Sequence, residues 1–123
     1  MQKGARYERE LVNNLREDDW FAMRLAASGA GADAELPDII GANEGSIYVI
    51  ELKFTSSNRI SVKRDKLQGL KWLASQMGAT PLIAARFSGD TSFYFYPPGF
   101  CKQNEKSVTV GKDDRERAMR LGE

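Results

Sequence analysis

Residues 36–54 read LPDIIGANEGSIYVIELKF, and this stretch decides the fold. Two apolar, β-branched runs flank Ala42-Asn43-Glu44-Gly45, a turn signal, so the segment predicts a β-hairpin with Pro37 at the start of its first strand. In a strand, residues two apart share a face. Glu51 and Lys53 therefore point one way, while Ile50, Leu52 and Phe54 point the other way, into the core. With the hairpin folded at Asn43-Glu44, Asp38 can lie beside Glu51 across the strand pair. Two carboxylates and an ammonium then converge at one end of a sheet. Such a set suits a divalent cation such as Mg²⁺, which takes oxygen ligands and keeps waters. A plainer reading stands beside it: Asp38 as a turn former after Pro37, and Glu51 with Lys53 as a solvated strand face.

Upstream of the hairpin, residues 3–18 predict an amphipathic helix, with Tyr7, Leu11, Val12 and Leu15 at helical spacing. At about 100° per residue from Glu8, Leu15 falls near −20°, Val12 near +40° and Leu11 near −60°. Glu8 thus sits in the middle of the apolar stripe. There it is either a wet, dipole-favoured residue near a helix start or a carboxylate with a partner or a metal. Glu10 lies about 200° from Glu8 and is expected to face solvent. Residues 20–24 (WFAMR) predict a short strand, and the small-residue run LAASGAGADAE reads as a loop.

Downstream, residues 62–77 predict a second helix, with Leu67, Leu70, Leu73, Ala74 and Met77 apolar and Gly78 as its stop. PLIAARF and TSFYFYP predict two more strands. Tyr94 and Tyr96 share one face of the latter and Phe93 and Phe95 the other, so one face needs cover from a helix or from a partner subunit. That run and Trp72 are the candidate dimer surfaces. From Gly99 the chain turns polar, giving a charged tail over about residues 105–123. The order is helix, three strands, helix, two strands: an α/β fold with a central mixed five-stranded sheet flanked by helices.

The chain has 123 residues, which suits one domain over residues 1–123. It has no histidine and one cysteine, Cys101. That excludes imidazole general-base catalysis, Cys/His zinc sites and an internal disulfide. Any chemistry must come from carboxylates, Lys, Arg, Ser, Tyr or a hard metal. The formal net charge is +1, but its distribution is uneven. Between Leu25 and Thr55 there are five acids and one base; between Ser56 and Asp90 there are six bases and two acids. A metal site beside a phosphate-binding surface would produce that asymmetry, as would two solvated faces. No apolar run is long enough for a membrane span, and the first residues lack a signal-peptide pattern, so an intracellular, cytoplasmic protein is expected.

Pro37-Asp38, twelve intervening residues and Glu51-Leu52-Lys53 resemble the PD-(D/E)xK nuclease motif of the restriction-endonuclease-like fold. The likeness extends from KGARYERELV through MRLAASGAGADAELPDIIGA and IYVIELK to SVKRDKLQGLKWLASQMGATPLIAARF. In this order the motifs resemble the archaeal Holliday-junction resolvases over roughly residues 3–97. The resemblance implies Mg²⁺-dependent cleavage of four-way DNA junctions by a homodimer, with Mn²⁺ able to substitute and no small-molecule cofactor. It implies Glu8, Ser28, Asp38, Glu51 and Lys53 as the catalytic set, with Glu8, Asp38 and Glu51 at the metal. It implies Arg9, Arg24, Ser28, Lys63 and Arg64 at the DNA, and the basic segment from Arg59 to Lys71 adds Arg59 and Lys66 to that surface. Two features depart from the family: Asp33 and Glu35 stand in a loop that is commonly basic, and Lys66 stands where glutamine often occurs. The alternatives are another nuclease of the same fold, acting on flaps, damaged DNA or duplex, and a junction-binding module without catalysis.

Overall fold

The hairpin turns on Glu44 and Gly45, whose φ angles of 49° and 86° are both positive. Two left-handed residues match the twist of the strands they join, and glycine adopts this conformation without a Cβ penalty. The turn sets the register, pairing Asn43 with Ser46 and Ile39 with Ile50. In this computed structural model, residues 3–25 and 36–122 are described. In chain order the main elements are α1 (Lys3–Glu17), β1 (Phe21–Arg24), β2 (Ile39–Asn43), β3 (Ser46–Thr55), β4 (Arg59–Lys63), α2 (Arg64–Met77), β5 (Thr80–Phe87), β6 (Tyr94–Tyr96), β7 (Lys102–Gln103) and β8 (Ser107–Gly111).

The central sheet has the order β1-β2-β3-β5-β6. It is antiparallel except where β5 lies parallel to β3, so it is mixed and five-stranded, as expected. Parallel strands require a crossover, here supplied by β4 and α2. α2 ends at Gly78, which is left-handed at φ 65° and donates to the carbonyls of Ala74 and Ser75. Helices cover both faces of the sheet, so β5 is buried from Leu82 to Phe87. On the α1 face, Leu11, Leu15, Ile50, Leu52, Leu82, Ala84, Phe93 and Phe95 pack together. On the α2 face, Val49, Leu67, Leu70, Ile83, Ala85, Phe87, Tyr94 and Tyr96 do so. Alternation along β3 therefore puts Glu51, with Val49 and Lys53, on the α2 side.

Several expectations are corrected. The second helix starts at Arg64 rather than at residue 62, because Arg59–Lys63 forms β4. The tail is not a mere charged extension. β8 lies within it and joins β4 and β7 in a second, three-stranded sheet. Its Val110 and Val108 pair with Ile60 and Val62 and are buried on the α2-side core. Each of these strands carries only two apolar residues among polar ones, and each finds cover only from a partner roughly fifty positions away. Further on, Met119 and Phe95 exchange backbone hydrogen bonds of 2.9 and 3.0 Å. The second sheet and α2 cover Tyr94 and Tyr96, so the aromatic run leaves no open face for a partner; Trp72 remains 62% exposed. Glu10 does not simply face solvent: it accepts a 2.6 Å bond from buried Arg86, whose guanidinium lies 4.8 Å from the Tyr7 ring and 4.7 Å from that of Phe93. A buried cation demands such a counter-ion. The loop expected at residues 25–35 lies, past Leu25, outside the described residues. No helix among the described residues is long and apolar enough to cross a membrane.

The role of β8 is testable with an isosteric change. Val108→Thr places a hydroxyl in the core with little change in volume, and is expected to lower unfolding stability by about 1–3 kcal/mol. Chemical denaturation measures this; an unchanged midpoint would mean that β8 does not belong to the core.

Candidate active site

Pro37 and Asp38 lead into β2, and the backbone fixes Asp38 at both ends. Its N–H donates to the Ile50 carbonyl at 3.0 Å, and its carbonyl accepts from Leu25 N–H at 2.9 Å. Its side-chain Oδ2 accepts a 2.8 Å bond from Leu52 N–H. Asp38 is thereby held against Glu51-Leu52, as the hairpin register foresees. Glu51 is only 3% exposed, so it is a buried carboxylate and not a solvated strand face. The Lys53 ammonium lies 3.8 Å from its Oε2 and the Lys66 ammonium 3.8 Å from its Oε1. Lys66 also donates to the Leu36 carbonyl at 3.0 Å. A cleft of about 640 Å³ opens here, lined by Glu51, Lys53, Ser61, Lys63, Asp65 and Lys66.

Burial first, and the nearby Asp38 second, push the Glu51 carboxyl up to about 7 against the opposing charges of Lys66 and Lys53. Burial also raises Asp38, against the Leu52 N–H and the two lysines. Two desolvated carboxylates side by side are costly without a cation between them. Among the described residues, Glu51 Oε1 is buried with no hydrogen-bond partner. That orphaned oxygen beside a second carboxylate fits a hard divalent ion, for which one or two carboxylates suffice when waters and phosphate supply the remaining ligands.

The other candidates divide. Glu8 does not join the pair; its Oε1 accepts a 3.0 Å bond from Arg24 Nε. α1 packs on the opposite face of β3 from Glu51, which explains the separation, although Glu8 is near enough to add to the rise of Glu51. The described residues contain no cluster of three acidic, His or Cys groups suited to a metal. Ser28 lies outside the described residues. Arg9 is exposed on α1 and lines a groove of about 390 Å³ with Arg16, Met23 and Arg24. Arg59 and Lys63 are exposed on β4 on the same face as Ser61, by strand alternation. Arg64 is partly committed elsewhere: its Nε donates to the Asn104 carbonyl at 2.7 Å and clamps the turn between β7 and β8. Lys66, expected at the DNA surface, lies beside the carboxylates in the same cleft. A helix wheel contains the missed signal: Lys66 lies about 40° from Leu70 and about 20° from Leu73, near the apolar stripe.

Three comparisons bear on this arrangement. A family model described as archaeal Holliday junction resolvase matches residues 1–123. The crossover junction endodeoxyribonuclease Hjc of Sulfolobus acidocaldarius is 32% identical over 92 residues, 74% of this chain and 64% of that protein. The chain thus aligns with just under two thirds of that relative's length. The protein of the same name from Methanocaldococcus jannaschii is 26% identical over 120 residues, covering 98% of this chain and 83% of the relative. Among solved structures, the Holliday junction resolvase Hjc of Archaeoglobus fulgidus superposes with a TM-score of 0.85 at 23% identity, covering 95% of this chain and 94% of the other. This last likeness shows that the fold is shared.

Proposed function

Since the chain belongs to the archaeal Holliday junction resolvase family, we propose that it is a divalent-metal-dependent endonuclease, a single nuclease domain over residues 1–123 that cuts four-way DNA junctions. The observation that carries this reading is the buried Asp38–Glu51 pair, with an unbonded Glu51 oxygen and Lys53 on the same strand face. Asp38 and Glu51 would hold the ion, Mg²⁺ in the cell and Mn²⁺ as a substitute. When bound, it supplies positive charge to offset the charge that develops on the scissile phosphate.

The chain's own residues do the rest. The side chain of Lys53 is 43% exposed, so its ammonium can orient water or meet a phosphate oxygen while staying near Glu51. The Leu52 N–H fixes the Asp38 carboxylate, sparing the site reorganisation. Glu8 aims Arg24 through their 3.0 Å bond, leaving the guanidinium's other donors for a DNA phosphate. Ser28 contacts the scissile phosphate, as the family likeness implies. Arg9, Arg59 and Lys63, all exposed, grip the backbone with little base preference.

A four-way junction presents two equivalent strands, and a two-fold dimer presents two equivalent sites. We assign the dimer surface to the exposed Trp72 on α2. Trp72→Glu is expected to yield a monomer by light scattering; a dimer unchanged in mass places the interface elsewhere. The activity itself is tested with four-way junction, flap, nicked and plain duplex DNA at equal concentration with Mg²⁺. Preferential cleavage of the junction supports the reading. Preference for a flap or for plain duplex would point to another nuclease of this fold, and binding without cleavage to a non-catalytic module.

A further inference from the structure

The carboxylate pair has a neighbour that the mechanism leaves unused. The Lys66 ammonium, in the first turn of α2, lies 3.8 Å from Glu51 Oε1 and donates a 3.0 Å bond to the Leu36 carbonyl. Leu36 immediately precedes Pro37-Asp38, so the turn that delivers Asp38 also holds the lysine. The 3.8 Å separation is too long for a hydrogen bond, which leaves Oε1 unbonded although a positive charge faces it. The side chain is 28% exposed against 43% for Lys53, making Lys66 the more confined of the two cations.

We propose that Lys66 is a resident cation that restricts this site to one divalent ion per chain; the inference rests on the metal-dependent reading above. Asp38 and Glu51 together carry two negative charges when ionised. The Lys66 ammonium offsets one of them, and a first divalent ion already makes the local sum positive. A second ion would need another acid. Glu8 is paired with Arg24 at 3.0 Å, and neither it nor Asp65, which lines the cleft, completes a group of three acids with the pair among the described residues. Repulsion between a tethered ammonium and a divalent ion a few ångströms away in a partly buried cleft is strong enough to shift affinity at least about tenfold. Lys66 is thus a positioning and charge-setting residue, distinct from Lys53, which can reach substrate.

The test is Mn²⁺ binding to the DNA-free, full-length chain, followed by electron paramagnetic resonance and calorimetry. Wild type is expected to bind one Mn²⁺ per chain. Lys66→Gln keeps a donor for the Leu36 carbonyl but removes the charge, and is expected to bind Mn²⁺ at least about tenfold more tightly. Lys66→Arg keeps the charge and is expected to stay within about threefold of wild type, a rescue that a purely structural role would not require. Two ions per wild-type chain, or Lys66→Gln affinity within about threefold of wild type, overturns the proposal. The wild-type stoichiometry keeps it refutable should a variant misfold. One bound ion with no effect of Lys66→Gln overturns the role of Lys66 alone. No Mn²⁺ binding by wild type overturns the metal site itself.

Discussion

Glu51→Ala is expected to lower the rate of junction cleavage by about 10³-fold or more, equivalent to about 4 kcal/mol of transition-state stabilisation, while junction binding persists. The size of the effect follows from what Glu51 does: it supplies one of the two carboxylates that lie side by side in the cleft, and among the described residues its buried Oε1 has no hydrogen-bond partner. Binding persists because exposed Arg9, Arg59 and Lys63 lie on other elements and act through phosphate charge. The fold persists as well, since removing a buried carboxylate that is raised to about 7 relieves a desolvation cost. Single-turnover cleavage and gel-shift binding measure the two quantities side by side. A variant that nicks at near the wild-type rate would falsify the site assignment. Loss of both binding and cleavage would mean that Glu51 organises the structure rather than the reaction.

Acid is expected to strip the metal from the site well above the usual carboxylate range. With Glu51 raised to about 7, one proton competes with the divalent ion, and apparent affinity falls about tenfold per pH unit below that value. Between pH 7 and pH 5 the loss is about a hundredfold. Without metal, the sign for stability is opposite to that of an ordinary salt-bridged acid. A raised folded-state value contributes stability that is fully present below the usual 4.5 and lost as pH rises through about 7. The metal-free chain is therefore expected to be less stable at pH 8 than at pH 4.5 on account of this group, by about 3 kcal/mol. Glu51→Gln should flatten that part of the profile, and saturating Mg²⁺ should restore stability at pH 8. Melting curves with Mg²⁺ and with EDTA measure both effects. A metal affinity flat between pH 5 and pH 8 contradicts the buried pair.

How far the sequence could be read depended on whether a residue's neighbours lie close by along the chain. The turn signal at residues 42–45, the alternation of IYVIELKF and the stop at Gly78 are local, and they placed β2, β3, the end of α2 and the Asp38–Glu51 encounter, although the hairpin turns on Glu44-Gly45 and not on Asn43-Glu44. β4 and β8 were missed because each has only two apolar residues and exists through pairing with the other. The pairing of Glu10 with Arg86 escaped a helix wheel for a related reason: a wheel shows which side a residue faces, but not that a buried strand cation waits there. Glu8 was half legible. Its inward position followed from helical spacing, whereas its bond to Arg24 depends on how α1 lies across β1. Lys66 was within reach of the same wheel, yet its place in a basic segment suggested DNA; only packing shows it turned to Glu51.

On the reading proposed above, the Asp38–Glu51 site performs paired cleavage of branched DNA. It is tested most directly by incubating the protein with a synthetic four-way junction, with and without Mg²⁺, and mapping the products on each of the four strands. Mg²⁺-dependent nicks at symmetric positions on two opposed strands, releasing two duplexes, are expected. Cleavage that ignores the branch, or an uncut junction in the presence of Mg²⁺, would contradict that reading.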